Sequence, residues 1–181
     1  MSAPALPGSI SPPAVAADAA IVGIEDIRQA AKQLGGIAIK TPVLTCPTPG
    51  GTPVHLKCEL LQRTGSFKLR GAFVHVARLP AAVRHGGVVA ASAGNHAQGV
   101  ALAAAYFGIP AVVDMPAGAP AVKVAATEAL GARVELVGGT FTEALAAAER
   151  HVTEQGATFI HPFDHPDVIA GQGTVGSVRC V

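Results

Sequence analysis

The chain has 181 residues, half of them apolar and only 14% charged, with a formal net charge of +1, 21 glycines and no tryptophan. That length and composition suit a tightly packed fold of one domain or two small ones and exclude a disordered chain. Near-neutral charge without a basic cluster gives a nucleic-acid partner no electrostatic support, and three scattered cysteines (Cys46, Cys58, Cys180) with no CxxC pair give neither a disulfide framework nor a zinc site.

Residues 1–22 are rich in Pro, Ala and Ser but lack a positive start and a continuous apolar run, so they are expected to be a disordered leader and not a signal peptide. Helical spacing begins at Ile24, Ile27, Ala31 and Leu34 and stops at Gly35-Gly36. Thr41-Pro42 starts an extended entry, and Val54-His55-Leu56-Lys57 alternates like a strand. Thr64-Gly65-Ser66 turns into a helix whose face is Leu69, Phe73, Val76 and Leu79, with Pro80 as its end.

The next stretch is more regular. Gly86 to Ala91 reads as a buried strand, Asn95 to Phe107 as a helix, and Ala111-Val112-Val113 as a second strand. A helix with Pro120 in its first turn and Gly131 just past its end leads to a third strand, Arg133 to Val137. Thr140-Phe141-Thr142-Glu143 matches a capping box for a helix that runs to Gly156, and Thr158-Phe159-Ile160 is the fourth strand. Strand and helix alternating through short connections predict an α/β fold, an open parallel sheet with helices on both faces. Residues 86–113 contain no Asp, Glu, Lys or Arg, long enough to suggest a membrane span. Ser92, Asn95, His96, Gln98 and several glycines interrupt that run, so a buried strand, helix and strand explain it better, with no membrane partner and a cytoplasmic location expected.

Two segments carry chemistry. In Ser66-Phe67-Lys68, a Ser66 N-cap puts Lys68 in the first helical turn, where its ammonium faces the positive end of the helix dipole, an effect of about 0.3–1 kcal/mol. That favours a neutral amine or its conversion to an imine. By position alone a surface lysine with a solvated head is the plainer reading. In Ser92-Ala93-Gly94-Asn95-His96, a strand end meets a helix start. Ligands in open α/β sheets bind beyond the carboxyl ends of the strands, and free N–H groups at a helix start cradle a carboxylate or phosphate. Gly94 would let a ligand approach, Asn95 could donate to an aromatic oxygen, and Ser92 could donate to an anion. Taken singly, the segment reads equally well as an ordinary capped turn.

Together, GSFKLRGA (65–72) and ASAGNHAQGVA (91–101) resemble the cofactor motifs of the threonine/serine dehydratases, fold type II pyridoxal-phosphate enzymes related to tryptophan synthase beta. The resemblance continues through MPAGAPAVKVAATEALGARVELVG and FIHPFDHPDVIAGQGT, over about residues 24 to 175 in the family's order. It implies pyridoxal 5'-phosphate as cofactor, held by Lys68 as an imine, with Lys68 later acting as base on the substrate α-carbon. It further implies that Phe67 packs against the cofactor ring and that Asn95 bonds its phenolic oxygen. Ser92, Gly94 and His96 would hold the carboxylate of a small amino-acid substrate, threonine or serine, which ends as a 2-oxo acid and ammonia. Serine racemases are similar too but carry a second serine where this chain has Ala93, which favours elimination. Full-length members of the family are homo-oligomers.

The family's later glycine-rich phosphate loop and its contact to the pyridine nitrogen have no counterpart, and 175–181 drifts from the expected apolar helix. The chain is therefore expected to hold the first part of a large domain (23–85), a small α/β domain (86–162) and a truncated return (163–181), leaving the large domain incomplete and activity impaired. The alternative is a non-catalytic fragment that binds a small anion or another protein. Gly171-Gln172-Gly173-Thr174-Val175-Gly176 fits GxGxxG but lacks the preceding strand, following helix and distant acid of a dinucleotide site, and reads as a glycine loop. His161, Asp164 and His165 suggest a polar loop before a metal, Lys123 a solvated helix residue, and His55, His75, His85 and His151 carry no signal.

Overall fold

A computed structural model describes residues 21–176. Residues 1–20 of the expected leader, with Arg179 and Cys180, lie outside the described residues, while Val22 at its end packs against the core.

The expected α/β alternation is present. Four strands, β3 (Val88–Ala91), β4 (Ala111–Met115), β5 (Arg133–Leu136) and β6 (Thr158–Phe159), form a parallel sheet in the spatial order β5-β4-β3-β6. Before them, β1 (Val43–Cys46) and β2 (Val54–Lys57) pair antiparallel as a separate hairpin. The extended entry after Thr41-Pro42 is thus a strand in its own right.

Side chains of β3 alternate between the sheet's two faces. Val88 and Ala90 belong to the larger core, which they share with α2 (Lys68–Arg78) and α4 (Asn95–Phe107). Val89 and Ala91 pack under α6 (Phe141–Gln155) with Ala144 and Ala148. Helices therefore cover both faces, as the fold type requires. Leu69, Phe73 and Val76 are buried as the helical spacing predicts. α1 (Ile24–Gln33) and α7 (Pro166–Gly173) pack against each other and against α2, while α5 (Ala121–Glu128) lies beside α4 and β5. Thr140 and Glu143 form the expected capping box: Thr140 Oγ1 accepts from Glu143 N, and Glu143 Oε2 accepts from Thr140 N.

Four local expectations change. Gly86 and Gly87 precede β3 and do not belong to it. Gly87 has φ +77°, and a Cβ there would sit 2.9 Å from the Pro110 carbonyl oxygen. Pro80 does not simply stop the chain's helical course, since a short helix, α3 (Ala81–Arg84), starts directly after it. Phe67, not Ser66, stands at the N-cap of α2, and Ser66 Oγ accepts from Lys68 N at 3.3 Å.

The fourth change concerns Gly171-Gln172-Gly173, which is the last turn of α7 and not a loop. Its glycines serve contact between helices. A Cβ on Gly171 would lie 2.6 Å from the Arg70 carbonyl oxygen, and one on Gly71 would lie 2.8 Å from that of Val168. Only two facing glycines let α2 and α7 approach so closely.

Candidate active site

The start of α2 is held from below by a buried network. Arg70 Nε and Nη2 donate to the two carboxylate oxygens of Glu59 at 2.7 and 2.9 Å, a two-pronged pair with no exposed guanidinium. Thr41 Oγ1 donates to Glu59 at 2.7 Å, and Arg70 Nη1 donates to Thr174 Oγ1 at 3.2 Å. Burial raises the Glu59 pKa, but the bonds from Arg70 and Thr41 and the charges of Arg70 and Lys57 outweigh it and hold the carboxyl below its usual range. The network ties the segments flanking the hairpin to α2 and to the end of α7, two residues from Lys68. None of it was read from the sequence: Glu59 and Thr41 stand far from the motif, and Arg70 looked like one motif letter among others.

Lys68 is the first residue of α2 and is partly buried. Its Nζ donates to the Pro162 carbonyl oxygen at 2.6 Å, just past β6. Desolvation lowers its pKa. Helix α4 passes close behind, where a Cβ on Gly99 would sit 3.1 Å from the Lys68 carbonyl oxygen. Phe67 is 41% exposed, with Lys68 Nζ 5.5 Å from its ring centroid.

The Ser92–His96 turn lies at the carboxyl end of β3, next to β6 in the sheet. No side chain caps α4 and no acid stands in its first turn, so the first-turn N–H groups have no partner within the helix. Gly94 N–H donates to Ser92 Oγ at 3.2 Å, which leaves the Ser92 hydroxyl proton free to point elsewhere. A Cβ on Gly94 would meet nothing within 4 Å.

Asn95 is exposed, and its Oδ1 accepts from Lys123 Nζ at 2.7 Å. Lys123 is thus not merely solvated. By occupying the carbonyl, it fixes the Asn95 amide so that the NH₂ group faces outward as a donor.

His96 behaves differently from its sequence reading. Its ring is buried, and Nε2 lies 2.8 Å from the Ile160 carbonyl oxygen, which can only accept, so Nε2 carries the proton. Burial, with the Lys68 and His161 charges against the Ile160 bond, lowers its pKa to about 4. The ring is neutral, and its Nδ1 is a buried acceptor without a hydrogen-bond partner. It cannot donate to a carboxylate there; what His96 offers an anion is its backbone N–H in the first turn of α4.

Sequence-predicted Lys68, Phe67, Ser92, Gly94, Asn95 and His96 therefore converge at the carboxyl ends of β3 and β6. The candidate metal loop has another role. His161 Nδ1 accepts from Phe163 N and Asp164 N, and His165 Nδ1 accepts from Asp167 N at the start of α7.

These residues suit pyridoxal phosphate. An amine with lowered pKa, an exposed aromatic face and a carboxamide donor match its aldehyde, ring and phenolic oxygen, and the row of N–H groups at the start of α4 suits the carboxylate of an amino-acid substrate.

Comparison with known proteins agrees. The family of pyridoxal-phosphate dependent enzymes matches over residues 36–177. L-threonine ammonia-lyase from Thermotoga maritima is 50% identical over 160 residues, covering 86% of this chain and 40% of that protein. L-threo-3-hydroxyaspartate ammonia-lyase from a Pseudomonas species is 52% identical over 153 residues, covering 82% and 48%. Among solved structures, maize serine racemase superposes with a TM-score of 0.80 at 35% identity, covering 86% of this chain and 48% of the other. The chain spans less than half the length of these relatives. Among the described residues, no helix is long and apolar enough to cross a membrane. The match over most of its length makes this chain a member of the pyridoxal-phosphate dependent enzyme family.

Proposed function

We propose that this chain carries the cofactor-attaching part of a pyridoxal-phosphate ammonia-lyase that removes ammonia from L-threonine or L-serine and yields a 2-oxo acid. The observation that supports it is the Lys68 amine, desolvated and held at the strand ends beside the uncapped start of α4. Bound there, pyridoxal phosphate would supply the electron sink for cleavage at the substrate α-carbon. Lys68 would attach it covalently and, once released, take the α-proton. Phe67 would flank its ring and the Asn95 NH₂ would donate to its phenolic oxygen. The Ser92 hydroxyl and the N–H groups from Gly94 to His96 would hold the substrate carboxylate. Ala93 offers no second base, which supports elimination over the racemisation named for the maize relative. The names of the threonine and 3-hydroxyaspartate ammonia-lyase relatives support a β-hydroxy amino acid as the substrate class.

A second reading has its own observation. The hairpin leaves Leu44, Val54 and Leu56, which share one face, between 47% and 52% exposed, an apolar face suited to another protein or another copy.

Titration with pyridoxal phosphate, borohydride reduction and peptide mass spectrometry test the first reading. A reduced adduct on Lys68, absent from Lys68→Ala, is expected. No adduct at Lys68, together with concentration-dependent association, would favour the second.

A further inference from the structure

A second constellation lies on the other face of the sheet, away from Lys68. Asp114 on β4 and Glu135 on β5 are register partners in parallel strands, so their side chains point the same way, toward α6. His151 on α6 comes down between them. Its Nε2 lies 3.4 Å from Glu135 Oε2 and 3.7 Å from Asp114 Oδ1, and one donor atom from each of the three residues lies within 4.8 Å of the others. Asp114 is fully buried, and neither of its carboxylate oxygens has a hydrogen-bond donor. Such a group is unfavourable unless a cation or a proton reaches it. The Arg133 guanidinium is spent on the other oxygen of Glu135, at 2.9 Å.

The separations are too long for good hydrogen bonds but near those between ligands of one ion. Bonds of about 2.0–2.2 Å in a tetrahedral site put ligand atoms roughly 3.3–3.6 Å apart. One imidazole and two carboxylates also suit a borderline ion of the zinc type.

We propose that Asp114, Glu135 and His151 form a site for a divalent transition-metal ion such as Zn²⁺, which pins α6 to the β4–β5 edge of the sheet. Burial raises the Asp114 pKa, against the lowering effect of His151 and with Glu135 acting in the raising direction. The three residues are scattered over the sequence with no ligand spacing, and only strand register and helix packing join them.

The test uses the full chain, stripped with chelator, and Zn²⁺ or Co²⁺ as probe. Equilibrium dialysis should give one ion per chain, Co²⁺ should develop the visible absorption of a tetrahedral site, and Zn²⁺ should raise the melting temperature. Glu135→Gln, at a partly exposed position, should weaken binding at least tenfold, and Asp114→Asn should abolish it. His165→Gln, which removes a histidine of the unrelated His75–His165–Asp167 group, should leave it unchanged. Absence of stoichiometric binding, or binding that Glu135→Gln leaves intact, would overturn the proposal. Glu135→Gln decides the matter even where Asp114→Asn does not fold.

Discussion

Lys68 Nζ donates to the Pro162 carbonyl oxygen across 2.6 Å, joining residues 94 positions apart. Among the described residues, this contact and the nearby Phe67 ring hold a partly desolvated amine whose pKa is lowered by burial. A neutral amine is the nucleophile. Lys68 should therefore react with an aldehyde or acylating reagent at lower pH than Lys32, Lys40 or Lys57. Peptide mapping after brief labelling across a pH series reads this directly. Lys68 labelling in step with those lysines would contradict the desolvated environment.

Two buried histidines make stability depend on mildly acidic pH. His96 and His75 both have pKa values lowered to about 4, chiefly by burial. His165 and Asp167 act on His75 in opposite directions, and Lys68 and His161 lower His96 further. Unfolded histidines bind a proton below about pH 6.5, whereas the folded rings do not until about pH 4. The contribution is thus full above pH 6.5 and is lost as pH falls towards 4. Each histidine adds up to about 1.4 kcal/mol per pH unit in that window. Urea unfolding at pH 7, 6 and 5 should show the decline, and His75→Gln should remove about half of its slope.

The Glu59–Arg70 pair should behave as a buried pair behaves. Glu59→Ala leaves the Arg70 guanidinium uncompensated and is expected to destabilise the chain by about 3–5 kcal/mol. Replacing both with Met should be milder, because neither variant residue leaves a lone charge inside. Denaturant midpoints of the two variants test the difference. Equal losses would mean that packing, not charge, dominates this position.

Gly171→Ala should force α2 and α7 apart, since the new methyl would meet Arg70 backbone oxygen at 2.6 Å. The expected loss is about 1–3 kcal/mol, as for other overpacked contacts. Gly118→Ala is the control, because nothing lies within 4 Å of its Cβ and its φ is not positive. Thermal melts of the two variants should separate clearly.

Much of this was legible in advance. The four parallel strands follow from short apolar runs between helical patterns, ASAGNHA lies at the strand–helix turn between β3 and α4, and GSFKLRGA opens α2. Gly171-Gln172-Gly173 was not legible, because glycine required by a close helix partner has the same letters as glycine required by a turn. The inward turn of His96 was hidden as well: a helix start permits either direction, and the Ile160 carbonyl decides it. Lys123 and Asn95 meet only once α5 packs beside α4, and Glu59 and Arg70 meet only once the short 3-10 turn Glu59–Leu61 folds against α2. Each of these is a long-range contact, for which local spacing holds no signal.

The pairing of β6 with β3 brings 158–159 beside 88–89. A ribosome adds about 5–20 residues each second, so roughly 5–20 seconds separate the appearance of Lys68 from that of Pro162. Throughout that interval the amine is an ordinary hydrated lysine on a nascent chain, open to any passing aldehyde. The desolvated setting of that amine forms only once β6 docks beside β3 and brings the Pro162 carbonyl to it.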